Sequence, residues 1–307
     1  MMYIKTLLIT LILVFGFTGC VSKDTKQLLS KYATASTEAQ KNIMYTYQNT
    51  SENLQRAKYY KAVRDGATIK DLQSFKIDYS GQIKTLNDLV SFSEAMVAIT
   101  GDSFNNQIDE NSAKLYESAK NLSENKAISH NVANEDLQLF ATLVNGAFRG
   151  YSEYFRTKKL KELILVADKW VQPSIDNLDK DLKHWKKILK RSINKQKSIK
   201  IMILNKPHTY CQVKDVTKKC IPLSETFKTK VDMYEDVALL QKRLDNLDKE
   251  FAALSSSVIT MSKLHKNIII SLKRDEINKE ELSKIFYDLK EHVDSIKEFR
   301  NSIKKEQ

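Results

Sequence analysis

The sequence predicts an all-α protein: an elongated helical bundle with antiparallel coiled-coil seams and one disulfide-bearing loop. Three observations carry that expectation. In 307 residues there are 7 Gly and 3 Pro, where average usage would supply about 21 and about 15. Chain punctuation is therefore scarce, which excludes collagen-like, sandwich, propeller and doubly wound architectures. Hydrophobic residues make up 42% of the chain, enough to bury a core, which excludes wholesale disorder. Finally, apolar positions recur at helical spacing through most of the sequence.

The first element is apolar and short. Lys5 precedes the run Leu7–Phe15, which small or turn-permitting residues close before Cys20. A membrane-spanning helix needs about 20 apolar residues, so this run fits a secretory signal better. At its end, Phe17-Thr18-Gly19-Cys20 resembles the lipobox of bacterial lipoproteins, with Phe17 standing where Leu is usual. The resemblance covers about the first 24 residues and implies nothing for the rest. It implies a signal peptide over 1–19, acylation of Cys20 and a lipidated tether over 20–27. The chain would then sit in the cell envelope, held on a lipid bilayer through Cys20. Val21, rather than Asp, agrees with the outer membrane of a Gram-negative host. Two or three acyl chains hold a protein on a bilayer where one would not. The competing reading is an uncleaved anchor or a plain signal with an incidental cysteine.

Residues 28–206 read as a helical bundle. Arg64-Asp65-Gly66-Ala67 is a helix stop, and Thr100-Gly101-Asp102-Ser103 is a stop followed by an N-cap. The polar stretch Ser123–Asn134 separates a third helix from a fourth. Leu137, Phe140, Val144, Tyr151 and Phe155 form one seam, with Gly146 and Gly150 inside it as close-packing positions or kinks. Pro173 is expected to start or kink a helix. Ile175, Leu178, Leu182, Trp185, Leu189, Ile199 and Ile203 give a further seam, interrupted by Ser192 and Gln196.

The longest non-helical segment spans Asn205–Ser224, and the loop within it is placed at 207–223. It holds Cys211 and Cys220, which an exported protein most simply pairs. A zinc site with His208 competes, but a C-x8-C spacing matches no common zinc pattern. Residues 224–307 read as a C-terminal helical hairpin packed on 28–206, with Lys273-Arg274-Asp275 as the turn. Val237, Leu240, Leu244, Leu247, Phe251, Leu254, Val258, Met261, His265, Ile268 and Leu272 keep an unbroken heptad seam. The last helix continues with Leu282, Ile285, Leu289, His292 or Val293, Ile296, Phe299 and Ile303. A histidine at 265 either fixes the register of that seam, senses pH with His292, or reaches out to the bundle edge.

Chemistry is harder to find. The formal net charge is +12. Lys180–Lys200 carries nine basic residues against the single acid Asp181, a net of +8. Its candidate contacts to anionic headgroups or an anionic envelope polymer are Lys183, Lys186, Lys187, Lys190, Arg191, Lys195 and Lys197, each near-surface cation contributing about 1 kcal/mol. Trp185 would then face the headgroups; the alternative is a solvated face with Trp185 in the core. No recognition motif interleaves aromatics with these cations, so nucleic acid is not an expected partner. Gly101-Asp102-Ser103 and Asp181-x-x-His184 resemble the blocks of GDSL esterases, but that family needs a strand before its Ser and glycine-bearing loops. No H-x-x-x-H, H-E-x-x-H or phosphate-binding loop is present. The expectation is therefore a non-catalytic, membrane-anchored binding or assembly module, without metal or cofactor, facing an envelope protein or polymer. A hydrophobic-ligand carrier lined by Phe140, Phe148, Tyr151 and Trp170, or a protective, immunity-type lipoprotein, are the alternatives.

Overall fold

A computed structural model describes residues 2–65, 80–100, 108–124, 134–150, 152–205, 210–211, 220–221, 227–274 and 278–304, with side chains of the first stretch from Lys26 onward. Among them lie α1 (Met2–Asp65), α2 (Ser80–Thr100), α3 (Ile108–Glu124), α4 (Asn134–Arg149), α5 (Glu153–Asn205), α6 (Phe227–Arg274) and α7 (Lys279–Lys304). The segment between α5 and α6 contributes one antiparallel pair, β1 (Tyr210–Cys211) with β2 (Cys220–Ile221). Among the described residues the protein is all-helical apart from this pair. Helices α1, α2, α5 and α6 end where the sequence stops them, at Asp65, Thr100, Asn205 and Arg274.

Helix α5 has 53 residues and α6 has 48, so at 1.5 Å per residue each extends about 70–80 Å. They run antiparallel, and their side-chain pairs keep that alignment along the whole contact. Asp168 meets His265, Gln172 and Asp176 meet Ser262, Asp179 meets Ser255, Lys186 meets Asp248 and Lys200 meets Asp236. Helix α1 lies along both, antiparallel to α6 through Tyr32–His265 and Gln40–Met261, and parallel to α5 through Tyr47–Trp185 and Lys200–Tyr60. Helices α2, α3 and α4 cover the part of α1 and α5 that α6 and α7 leave open.

The heptad seam of α6 is buried from Leu247 to Leu272, and Val237, Leu240 and Leu244 are half-buried. Ser257, Leu264 and Ser271 are buried as well. That stripe is wider than a two-helix seam because α6 packs on α5, α1 and α7 together. In α7, Leu282, Ile285, Leu289, Val293 and Ile296 are buried, so Val293 takes the core position and His292 is half-buried. Asn278 caps this helix by accepting the Glu281 N–H at 3.1 Å.

Three local expectations need correction. Of the two expectations for Pro173, a helix start or a kink, the start is overturned, because α5 runs through it. Trp170, Val171 and Ile175 are buried on either side of it, and this tertiary burial outweighs the lost backbone bond. The seam read from Leu137 to Phe155 is two helices, broken at Gly150. Ser152 starts the second by accepting the Phe155 N–H at 3.2 Å. Ser192 and Gln196 do not interrupt the α5 seam. They are buried within it, and both donate to the Asn53 carbonyl of α1, at 2.7 and 2.9 Å. Ser103 and Gly101 lie outside the described residues, as do the side chains of Tyr151, Phe299 and Ile303.

The glycine pair is a matter of close approach. A Cβ on Gly150 would lie 2.7 Å from the Gly146 carbonyl and from the Phe155 and Arg156 side chains, whereas one on Gly146 would meet the Lys159 stem at 2.9 Å. We expect Gly150→Ala to destabilise by about 1–3 kcal/mol, because backbone cannot give way. Gly146→Ala should cost less, since a lysine can shift and alanine favours the helix. Urea denaturation of the two variants checks the order.

Candidate functional site

The basic stretch of α5 is divided by packing. Trp185 and Leu189 are buried, and Trp185 stands edge-on to Tyr47 of α1 at 5.2 Å. The apolar side of the stretch thus belongs to the core, and only its polar side meets solvent. Of the seven candidate cations, Lys186 and Lys190 pair with Asp248 of α6 at 3.0 and 3.6 Å. Lys186 foremost, with Lys190, holds the Asp248 carboxyl below the usual carboxylate range. Lys183 pairs with Asp179 one turn away at 2.6 Å, and Lys197 bonds Gln241. Lys187, Arg191 and Lys195 are exposed, and among the described residues they make no ion pair. The structure therefore leaves an outward stripe of three cations and commits the other four to the bundle.

A second cationic feature, spread over three helices, lies where the ends of α1, α5 and α6 meet. A cleft of about 180 Å³ is lined by Asn53, Arg56, Tyr60, Gln196, Lys200, Asp236, Leu239, Leu240, Lys242 and Arg243. Four of these are cations and one is a carboxylate. Lys200 is buried, engages Asp236 and lies over the Tyr60 ring at 5.0 Å. Burial alone would lower its ammonium, but Asp236 and Tyr60 beside it hold it above the usual lysine range. Arg243 bonds two neutral acceptors, the side-chain oxygens of Asn49 and Asn53. Burial pulls its guanidinium below the usual arginine value, against the through-space pull of Glu250. Arg56 is exposed. Among the described residues neither Arg56 nor Arg243 forms an ion pair. The sequence signal for this cleft is weak: Lys200 ends the basic stretch, but Arg56 and Arg243 are isolated arginines on other helices.

Further along the same three helices, His265 is 1% exposed. It does not reach the bundle edge. Its Nδ1 lies 2.7 Å from the Tyr32 hydroxyl of α1, and its Nε2 lies 3.1 Å from Asp168 of α5. Burial raises the Tyr32 phenol far above its usual pKa, so the hydroxyl keeps its proton. In the tautomer protonated at Nε2, the imidazole accepts from the Tyr32 hydroxyl and donates to Asp168.

Compared with known proteins, the chain matches no family model, no curated protein and no solved structure. Its chemistry must be read from its own residues. Among the described residues no three His, Cys, Asp or Glu side chains gather to hold a metal ion, and no helix is long and apolar enough to cross a membrane. Phe140, Phe148 and Trp170 sit in the core, with Phe140 and Trp170 edge-to-face at 5.2 Å. Cys20 lies in α1 and its side chain is outside the described part. Cys211 and Cys220 face each other across the β1–β2 pair; their side chains are likewise outside it.

Proposed function

We propose that the protein is a lipoprotein of the bacterial cell envelope, anchored by acylated Cys20, whose helical bundle is a non-catalytic binding or assembly module. The observation that carries the reading is Lys5, the apolar run Leu7–Phe15 and Phe17-Thr18-Gly19-Cys20 in that order. The sustained antiparallel pairing of α5 with α6 supports a bundle built on coiled-coil contacts, a form that offers helix faces rather than a reaction pocket. Lys187, Arg191 and Lys195 are the cations that remain open to anionic headgroups or an envelope polymer.

Metabolic labelling with an alkyne palmitate tests the anchor. The wild-type chain should incorporate the label and Cys20→Ser should not; an unlabelled wild type refutes the reading. A disulfide between Cys211 and Cys220 belongs to the same reading. Directly opposed residues in an antiparallel pair have Cα atoms about 4.5–5.5 Å apart, within the range a disulfide bridges. Closing a loop of this size is worth about 2–3 kcal/mol in the chain-entropy picture. Alkylation of the native chain should add no mass at these cysteines before reduction and two adducts after it.

A further inference from the structure

We propose that the cleft between the ends of α1, α5 and α6 binds an acidic segment of a partner polypeptide, its carboxylates against Arg243 and Arg56 and its apolar side chains against the cleft rim. This goes beyond the anchored-module reading and does not depend on the anchor.

The charge argument comes first. Lys200 satisfies Asp236, the only carboxylate among the lining residues, so among the described residues neither guanidinium has a carboxylate at ion-pair distance, and Glu250 and Glu52 act on Arg243 only through space. Arg243 is the built part of the site. Its direct contacts, the amide oxygens of Asn49 and Asn53, orient the guanidinium without neutralising it. Gln196 and Ser192 in turn hold the Asn53 backbone, so the arginine is pre-positioned before a ligand arrives. A planar fork of donors held this way suits a carboxylate, which accepts two parallel hydrogen bonds.

Size and surroundings decide what carries the carboxylate. The cleft, at about 180 Å³, is smaller than the roughly 300–1,000 Å³ of pockets that enclose a whole drug-sized ligand. It has room for an anionic side chain of something larger that stays outside. Large apolar side chains are exposed at this same end: Leu239 on the cleft itself, and Tyr59, Ile201, Val231 and Tyr234 within a few turns of it. An arginine held half-buried, with Leu239 and Leu240 beside it, suits the anchor residue of a peptide-binding hot spot.

The test uses the full-length protein in dodecyl maltoside and a fluorescein-labelled peptide of alternating Glu and Leu, read by anisotropy at low salt. The wild type should bind it, and Arg56→Gln and Arg243→Gln should each weaken binding on the order of tenfold. The corresponding Gln–Leu peptide should not bind. Lys263→Gln with Lys284→Gln, at exposed lysines of α6 and α7 that do not line the cleft, should leave affinity unchanged. Arg243→Gln could unfold this end of the bundle, so Arg56→Gln, at an exposed side chain, carries the decision, with circular dichroism confirming its fold. Equal affinity of wild type and Arg56→Gln overturns the proposal, and so does loss of binding in the Lys263/Lys284 variant. If citrate binds and the peptide does not, the occupant is a small free carboxylate and the peptide assignment falls.

Discussion

His265→Leu is expected to destabilise the protein by about 2–4 kcal/mol. The substitution removes the group that links α1, α5 and α6 at one level of the core. Two polar partners lose their contact, and they lose it unequally. The Tyr32 hydroxyl, on a residue 5% exposed, keeps only the neighbouring Ser36 hydroxyl within reach, so it bears much of a desolvation cost of about 1–3 kcal/mol. The Asp168 side chain is 30% exposed and can be rehydrated, so it contributes less. That asymmetry gives a sharper test than the single variant. Tyr32→Phe removes the stranded hydroxyl, so the double variant should be more stable than His265→Leu alone, since replacing both partners with apolar groups can be nearly neutral. Urea unfolding followed at 222 nm measures all three variants. A loss below about 0.5 kcal/mol for His265→Leu, the range of ordinary surface changes, would remove His265 from the group of core-defining residues.

Trp170→Ala should be the most damaging single change, about 3–5 kcal/mol. Trp170 is 1% exposed and lies at the end of a ring series that crosses three helices. Phe92 of α2 stacks on Phe140 of α4 with centroids 6.4 Å apart, and Phe140 meets Trp170 of α5 edge-on at 5.2 Å. Removing the indole opens a cavity where α4 and α5 join and ends the aromatic contact. Helix α5 is long and held elsewhere along its length, so it cannot collapse onto the gap. Trp170→Phe should cost markedly less, because it keeps a ring against Phe140 and the indole N–H has no acceptor among the described residues. Chemical denaturation of both variants, with the fluorescence of the remaining Trp185 as a second probe, checks the ranking.

Much of this was legible in the sequence, for a physical reason. A helix repeats every 3.6 residues, so the spacing of Leu247, Phe251, Leu254, Val258 and Met261 reveals a buried face without knowledge of what covers it. The scarcity of Gly and Pro likewise makes the ends at Asp65, Thr100 and Asn205 stand out, where Gly66, Gly101 and Pro207 follow. The reading failed where a distant partner overrides local preference. Pro173 stays inside α5 because buried residues on both sides hold the helix. Ser192 and Gln196 read as interruptions, since nothing in their neighbourhood announces that the Asn53 carbonyl of another helix will receive them.

The candidate site divides in the same way. Composition along one helix was enough to find the basic stretch, and enough to place Cys20 at the end of an apolar run. It was not enough to tell which cations are spoken for: Asp248 takes up Lys186 and Lys190, while Lys187 and Arg191 stay open. Nor could it bring Arg56, Lys200 and Arg243 together, since they stand on three helices far apart in the chain. Helix formation and the apolar faces follow from local residue order, because backbone geometry and burial preference act over a turn or two. The cationic cleft and the Tyr32–His265–Asp168 group come from the alignment of whole helices, which long-range packing alone decides.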